Sequence, residues 1–338
     1  MKTRLKWPVL RLAVRVRRHP YLFALVGFTS GIASFVLVER QEDMAGFIAL
    51  FMLLSWLWLV LETPIRRALH HLFGLDLPPS LVRFTTQLVH QESYFFVLPF
   101  FLVTTTWSSA QALFSGLLMI AALISITDPL YYGWLAKRRW LFLAYHALAL
   151  FVLLLTALPI IFHLSTPQSY ALATFLAMIF ALPSLVQAMP MGGWRGALSL
   201  TGVVLALTAV TWFGRLGVPP ATLRLTEGVI TQTVDASQRS AGKGRVRLSA
   251  EALDANGLFA YTAIRAPRGL NERIYHQWRH NGHERDRIAL DIQGGREEGY
   301  RAWTHKLTFP PNPEGRWQVR VLTEGGQQIG QMRFSITD

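Results

Sequence analysis

The sequence predicts two regions of different fold: an α-helical membrane bundle of about seven transmembrane helices, and an all-β sandwich of immunoglobulin-like type. Three observations lead to this prediction. Hydrophobic residues make up 51% of the 338 residues and charged residues only 16%, which is far from the balance of a soluble domain. Long apolar runs fill the chain up to residue 213. Beyond that point, short segments of alternating apolar and polar residues replace them.

The first region contains seven apolar runs separated by short polar breaks, and each run is a candidate transmembrane helix. Several runs are close to the lower limit of roughly 20 residues that a helix needs to cross a bilayer core. The predicted transmembrane domain therefore covers residues 21–213, with runs at residues 21–38, 44–61, 93–107, 112–127, 140–163, 169–188 and 197–213.

Lysine and arginine are unequally divided between the loops of this bundle. With the N-terminus in the cytoplasm, the cytoplasmic segments carry nearly all of them, and the short outer loops carry only Arg40. Such an asymmetry is typical of a bacterial inner-membrane protein. An odd number of spans then places the C-terminal domain in the periplasm. Residues 1–20 mix arginines with apolar side chains, which predicts either a basic interfacial segment on the cytoplasmic leaflet or a solvated basic tail.

The net charge of +13 is largely a consequence of these loops, so membrane lipids are expected partners and nucleic acid is not. The chain has no cysteine, which excludes disulfides and thiolate catalysis. It also contains no Walker-type phosphate loop, nucleophile elbow, dinucleotide fingerprint or zinc-binding helix motif. The sequence therefore predicts no catalytic residue, no metal and no cofactor, and it favours a protein that is not an enzyme.

Three ionisable residues within the predicted bundle form a candidate intramembrane polar site: Glu92, Asp128 and His146. Ionisable groups at membrane depth are costly and often functional. A structural explanation exists for two of them, because Glu92 can sit in the headgroup layer and Asp128 precedes Pro129 as a helix N-cap would. His146 lies six residues after Trp140, or about 9 Å along a helix, and is harder to explain in this way.

Residues 214–338 form the predicted β-sandwich domain. Eight short segments with period-two alternation and turn residues between them predict an antiparallel sandwich. Just over a hundred residues are enough for one hydrophobic core. The alternation predicts the following core residues: Trp317, Val319, Val321, Met332, Phe334 and Ile336.

The segment "IYHQWRHNGHERDRIAL" contains three histidines around Asn281-Gly282. Asn-Gly between alternating segments is the strongest short-range signal for a two-residue β-hairpin, because both central residues adopt positive φ. Strict pairing across this turn predicts that His280 lies opposite His283, Trp278 opposite Arg285 and His276 opposite Arg287. It also puts Arg279 and Glu284 together on one face of the hairpin. The other face then carries six side chains, namely His276, Trp278, His280, His283, Arg285 and Arg287.

Three histidines near a turn could bind a metal ion, but two arginines on the same face repel a cation, and no carboxylate is assured as a fourth ligand. A cationic, aromatic face that contacts an anionic glycan, a lipid headgroup or a partner protein is the alternative, and a solvated hairpin is the simplest interpretation. Trp278 and Trp303 can equally belong to the core, since alternation does not decide which face points inward. The candidate ligand- or partner-binding residues are His276, Trp278, His280, Arg285, Arg287, Trp303 and His305.

Several of these residues also carry a resemblance. The spacing of His276 and Trp278, the motif "YRAWTHKL", the glycine and tryptophan of "GRWQVRVL" and the final "GQQIGQMRFSI" together resemble an uncharacterised C-terminal domain found behind multi-helix membrane regions in Gram-negative bacteria. The helical motifs "ESYFFVLPFF" and "TDP" look like the companion region of the same proteins. These domains are catalogued only as of unknown function. The resemblance implies an envelope location and this architecture, and it implies no catalytic residue.

These observations lead to an expected function: an inner-membrane protein that presents a periplasmic β-sandwich for binding or scaffolding in the cell envelope. The alternative is a membrane-embedded transporter or lipid-acting enzyme, in which the polar site near the cytoplasmic leaflet binds substrate or moves protons. That alternative requires Glu92, Asp128 and His146 to converge. A receptor for a periplasmic ligand is a third interpretation, and it would need a cytoplasmic partner.

Overall fold

The computed structural model describes residues 25, 28–30, 32–33, 36, 42–74, 78–188, 193–251, 253 and 257–337. The predicted basic segment, residues 1–20, and most of the first apolar run lie outside the described residues. Contacts between Cα atoms divide the chain into two compact units. The second unit contains Phe101–Ser115, Leu158–Ala171 and the chain from Thr211 onward, and the first unit contains the rest of the helical region.

From residue 42 onward, the described helical region contains six α-helices and one π-helical segment. A bend of 99° separates the third helix from the π-helical segment, Pro129–Leu135, at the point where Pro129 has no N–H to continue the hydrogen-bond ladder. The six helices are α1 (Glu42–Phe73), α2 (Pro79–Thr104), α3 (Gln111–Ile126), α4 (Arg139–Phe162), α5 (Thr166–Ala188) and α6 (Gly193–Gly214).

Only two of the described helices are long and apolar enough to cross a membrane. These are α4 and the helix Gly193–Gly217, which joins α6 to a short 3₁₀ turn, and a third span results if α3 and the π-helical segment are counted as one. The prediction of seven transmembrane helices is therefore not supported. The apolar part of α5 ends at Leu182, so it falls short of a full span. Helix α2 contains Arg83, His90 and Glu92, which lower its apolar character.

The C-terminal region folds into a β-sandwich, as predicted. Its strands are β1 (Arg224–Thr231), β2 (Val234–Asp235), β3 (Ser240–Ala241), β4 (Arg247–Ser249), β5 (Leu258–Arg265), β6 (Asn271–His280), β7 (His283–Gln293), β8 (Tyr300–Lys306), β9 (Gly315–Thr323) and β10 (Gln328–Thr337). They form a three-stranded sheet of order β1-β5-β8 and a five-stranded sheet of order β4-β10-β9-β6-β7. Strands β2 and β3 form a separate ribbon. All pairs are antiparallel except β4 with β10.

The core of the sandwich lies between the two sheets and contains the large side chains of Trp278 and Trp317. Both are almost completely buried. The Trp278 ring lies edge-on to the Phe334 ring, and the Trp317 ring lies nearly parallel to it. All six predicted core residues of β9 and β10 are buried, so that prediction is confirmed. Period-two alternation was a sufficient signal there because the outward positions of both strands are polar.

The predicted two-residue hairpin is also confirmed. Strand β6 ends at His280 and β7 begins at His283, and the two turn residues both have positive φ: 48° at Asn281 and 88° at Gly282. The Asn281 side chain accepts a hydrogen bond from the backbone N–H of Arg316 at 3.0 Å, which fixes the turn against β9.

Candidate functional site

A β-bulge next to the turn decides which side chains of the hairpin reach the surface. His280 pairs with His283 and Arg279 with Glu284, as predicted, but Trp278 pairs with Asp286. Arg285 is the extra residue. Because a shift of one residue moves every later side chain to the opposite face, the predicted pairing is wrong beyond the bulge.

The bulge separates the histidines of β6 from the arginines of β7. His276 pairs with Ile288 instead of the predicted Arg287. Ile288 and Leu290 point inward and pack against the core, whereas Arg285 and Arg287 are exposed. The predicted cationic and aromatic face is therefore not assembled by this hairpin.

His276 is completely buried between the two sheets, where threonines satisfy both ring nitrogens. Its Nε2 lies 3.1 Å from Thr262 Oγ1, and its Nδ1 lies 3.0 Å from Thr304 Oγ1. Thr262 also donates to the carbonyl of Ala302, so Nε2–H donates to Thr262, and Thr304 donates to Nδ1 while it accepts from Trp278. Burial lowers the pKa of His276 to about 3, which keeps the ring neutral.

The other two inward residues of β6 are also part of the core. Trp278 has no exposed surface. The ring of His280 stacks on Trp317 with ring centroids 4.5 Å apart, and its Nε2–H donates to the carbonyl of Glu314 at 2.7 Å. None of these side chains is available to a ligand in solution.

The remaining candidates lie on two different surfaces. Arg287 lies on the outer side of the five-stranded sheet, with its guanidinium 4.2 Å from the centre of the Tyr275 ring. Trp303 is half-buried on the outer side of the three-stranded sheet, and His305, on the same strand, stacks on Phe259 at 3.8 Å. The structure therefore distributes the seven candidates among a core, a bulge and two outer faces.

The outer side of the five-stranded sheet carries arginines and glutamines in alternation, and we call this surface the arginine face. Across the sheet from β10 to β7, one row reads Arg, Gln, Arg and Glu, and the next row reads Gln, Arg, Gln and Arg. Arg320 is therefore a diagonal neighbour of both Arg333 and Arg279, with Cα atoms roughly 7–8 Å apart. The face consists of Arg333, Gln318, Arg279 and Glu284 in the first row and Gln331, Arg320, Gln277 and Arg287 in the second.

Three arginines of this face, Arg279, Arg320 and Arg333, make no ion pair within the described part of the chain. Partial burial lowers the pKa of Arg320, and the charges of Arg279 and Arg333 lower it further. Glu284, the carboxylate at the edge of the face, instead accepts a hydrogen bond from Gln277 at 2.6 Å. The face thus concentrates positive charge that no carboxylate of the described residues neutralises by an ion pair.

The glutamines hold a neutral hydrogen-bond network between these charges. Gln318 donates to the side-chain oxygen of Gln331 and accepts from Nε of Arg320 at 3.4 Å. Gln331 in turn donates to Ser108 Oγ at 2.8 Å, in the turn between α2 and α3. The amides keep the guanidinium groups apart, and the surface has the chemistry of an anion-binding array.

Most of this face was missed at the level of sequence. The alternation that placed the core residues of β9 and β10 inward also places Arg320 and Arg333 outward, so the signal was present in the sequence. The adjacency of β10, β9 and β6 was not, because strand order depends on tertiary pairing. Arg279 was placed correctly on the face opposite the histidines, but its neighbours were unknown.

A second polar cluster lies in the helical region. His90 on α2 is completely buried, with its Nδ1 2.8 Å from the Tyr131 hydroxyl and its Nε2 2.8 Å from Nδ1 of His146 on α4. The indole of Trp56 lies 4.8 Å from the His146 ring and donates to Ser93 at 2.9 Å. His146 is therefore held by a hydrogen-bonded chain of three side chains.

The three predicted intramembrane residues make separate contacts. Asp128 accepts a hydrogen bond from Gln87 at 2.9 Å and makes no cap hydrogen bond to its own helix. Glu92 is hydrogen-bonded to Ser30, and its Oε2 is buried without a partner in the described structure. His146 contacts His90. Among the described residues, no group of three His, Asp or Glu side chains is arranged to hold a metal ion.

Together these features define a class of protein: a helical region with a few apolar helices, followed by a β-sandwich. The chain belongs to a family of unknown function, DUF5924, whose profile matches residues 2–260. The profile of a second protein family of unknown function, DUF2914, matches residues 271–336. No curated protein and no solved structure matches the chain. The resemblance to domains of unknown function is thus confirmed, while its membrane and Gram-negative parts stay predictions.

Proposed function

We propose that this chain is a bacterial inner-membrane protein, with its N-terminus in the cytoplasm, that presents an immunoglobulin-like sandwich in the periplasm. In this proposal the sandwich binds an anionic glycan of the cell envelope by its arginine face. The distribution of lysine and arginine supports the cytoplasmic N-terminus. Three spans, the number obtained when α3 and the π-helical segment are counted as one, support membrane insertion with an odd number of crossings. The arginines of the arginine face that form no ion pair in the described part of the chain support the proposed binding of an anion.

The observation that carries the proposal is the arrangement of Arg279, Arg320 and Arg333. Like charges at diagonal positions of neighbouring strands repel one another unless a counter-charge is present. Because no carboxylate in the described structure forms an ion pair with them, a ligand that supplies several negative charges at a similar spacing relieves this repulsion.

The alternation of charge with amide groups favours a glycan over other anions. Gln277 and Gln318 offer neutral donors and acceptors between the guanidinium groups, which match the hydroxyl groups between the charges of an acidic polysaccharide. The face is a sheet surface rather than a cavity, so it fits an extended polymer. Tyr275, under the guanidinium of Arg287, adds an aromatic ring of the kind that sugars contact.

Binding of a defined anionic glycan to the full chain tests this proposal. We expect the detergent-solubilised protein to bind dextran sulfate and not neutral dextran in isothermal titration calorimetry, with affinity that decreases as salt increases. The triple variant Arg279→Gln, Arg320→Gln and Arg333→Gln should weaken binding at least about tenfold, since several charge-assisted hydrogen bonds are lost.

A second triple variant controls for net charge. Lys243→Gln, Arg245→Gln and Arg296→Gln remove the same amount of charge from exposed positions outside the five-stranded sheet. This variant should bind dextran sulfate almost as well as the unaltered protein. An equal loss in both variants would show that only net charge matters, and absence of binding by the unaltered protein would exclude the glycan.

The alternative function, a membrane-embedded transporter or lipid-acting enzyme, has less support. It required Glu92, Asp128 and His146 to converge, and each of them contacts a different partner. The hydrogen-bonded chain from Tyr131 through His90 to His146 is the remaining support for a proton-handling role of the helical region.

A further inference from the structure

A cleft of about 510 Å³ lies where β6 begins and β7 ends, away from the arginine face. Its volume is within the range of small-molecule sites, roughly 300–1,000 Å³. Both charged and amide side chains line it. The lining residues are Asn271, Glu272, Arg273, Asp291, Ile292, Gln293, Tyr300 and Glu324.

Glu272 is the buried carboxylate of this cleft, with only 3% of its surface exposed. Its Oε2 accepts hydrogen bonds from the backbone N–H of Thr166 at 2.7 Å and from the Thr166 hydroxyl at 3.1 Å, at the first residue of α5. Its Oε1 is buried and has no hydrogen-bond partner in the described part of the chain. A buried carboxylate oxygen without a partner is costly, so a donor from a ligand would be favourable there.

The net charge of the cleft is negative. Arg273 forms an ion pair with Asp291 at 2.8 Å, so these two residues neutralise each other. Glu272 and Glu324 remain, and their charges repel each other. The side-chain amides of Asn271 and Gln293 supply further oxygen acceptors beside them.

We propose that this cleft binds a primary ammonium group, held by Oε1 of Glu272, the carboxylate of Glu324 and a side-chain amide oxygen. An ammonium group has three donors, which match this number of acceptors. A divalent metal ion fits less well, because it takes six or more oxygen ligands and the described residues contain no cluster of three acidic or histidine ligands. The ammonium can belong to a free amine or to the ethanolamine headgroup of a lipid.

Glu272 connects the bound group to a helix. One carboxylate oxygen contacts the first turn of α5, and the other is the buried oxygen that has no partner in the described part of the chain. An ammonium group bound to this carboxylate would therefore change the charge at this helix N-terminus. Burial raises the pKa of Glu272 to about 7, and Glu324 contributes to the increase. Since an ammonium group binds the ionised carboxylate, its affinity should increase as pH rises from 6 to 8. Arg273, Asp291 and Tyr300 are the other titratable groups that line the cleft. The hydrogen bond and ion pair between Arg273 and Asp291 raise the pKa of the guanidinium and lower the pKa of the carboxyl, so this pair stays charged from pH 6 to 8.

Titration of the full chain with 1,4-diaminobutane tests the proposal. The protein is reconstituted in nanodiscs of phosphatidylcholine, which contain no primary amine, and binding is measured by isothermal titration calorimetry at pH 8. We expect saturable binding that Glu272→Gln weakens about tenfold or more and Glu324→Gln about threefold or more. Glu324 is exposed, so its substitution tests the site even if Glu272→Gln impairs folding. Glu251→Gln, at an exposed position outside the cleft, should have no effect.

Two further measurements distinguish a lipid headgroup from a free amine, and an ammonium group from a divalent metal ion. Nanodiscs that contain phosphatidylethanolamine should weaken diamine binding if the lipid headgroup is the natural occupant, and leave it unchanged if a free amine is. Tighter binding of Ca²⁺ or Mg²⁺ than of the diamine, with the same dependence on Glu272 and Glu324, would overturn the ammonium assignment. No saturable binding of the diamine by the unaltered chain would overturn it as well. Neither result would affect glycan binding by the arginine face.

Discussion

At the scale of single residues, the sandwich depends on a histidine that is kept neutral. His276 lies between the sheets, and its two ring nitrogens are hydrogen-bonded to Thr262 and Thr304. Thr304 also accepts from Trp278, one of the two core tryptophans, so these hydrogen bonds connect β6 with β5 and β8. A charged imidazolium could not be accommodated there, because it would donate from both nitrogens and lose its hydration.

The first prediction concerns the pH dependence of stability. The pKa of His276 is lowered to about 3 in the folded protein and is near 6.5 in the unfolded chain. Stability from the neutral ring is therefore complete above pH 6.5 and decreases by about 1.4 kcal/mol per pH unit as pH falls from 6.5 towards 3. We expect His276→Gln to reduce this slope in chemical denaturation followed by tryptophan fluorescence. His283→Gln, at the exposed turn, is the matched control and should leave the slope unchanged.

At the scale of secondary-structure elements, the bulge in β7 determines the exposed surface of the five-stranded sheet. The extra residue, Arg285, allows Ile288 and Leu290 to face the core while Arg287 faces outward beside Gln277. Without the bulge, the alternation that begins at the turn would expose the aliphatic side chains of β7. The bulge is therefore required both for the core and for the second row of the arginine face.

The second prediction follows from this role of the bulge. Deletion of Arg285 should destabilise the protein by about 2 kcal/mol or more, since either the inward side chains of β7 become exposed or the hairpin turn is strained. Arg285→Ala, which keeps the bulge, should change stability by less than about 0.5 kcal/mol. Thermal unfolding of both variants measures the difference. Equal stability of the deletion and the substitution would show that the register adjusts elsewhere.

At the scale of the whole molecule, the boundary between the two family profiles does not coincide with the boundary between the helical region and the β-sandwich. The DUF5924 match ends at residue 260, within β5, whereas DUF2914 begins at residue 271, the first residue of β6. The first profile therefore includes all the described helices and β1 to β4, and the second covers β8 and the four strands that present the arginine face. The sandwich is complete only when both parts are present, because its core contains residues from both.

The third prediction concerns the orientation of the whole chain in a membrane. The sequence contains no cysteine, so single cysteines can be introduced as the only reactive thiols. In spheroplasts, Glu251→Cys in the sandwich region should react with a membrane-impermeant maleimide. Lys137→Cys, between the π-helical segment and α4, should react only after lysis. The reverse pattern would place the sandwich in the cytoplasm, and labelling of both positions in intact spheroplasts would contradict insertion.

Local sequence signals were sufficient to predict features that depend on a single turn or on the alternation within a single strand. Asn281-Gly282 predicted the turn, and the alternation of β9 and β10 predicted their core residues, because backbone preference and burial act within a few residues. The same alternation failed for β7, since a bulge inserts one residue without any marker in the sequence. For the helices, apolar runs indicated membrane association but overestimated the number of full spans.

The sequence by itself determined the two-part architecture, the family of unknown function and the charge asymmetry of the loops, because composition and short-range periodicity encode these directly. Only the tertiary structure decided that His276, Trp278 and His280 are core residues, and that arginines from three strands meet on one face. It also placed Glu272 against Thr166, more than a hundred positions earlier in the chain. The physical reason is that strand order, register and burial depend on contacts between distant segments, which no local pattern specifies.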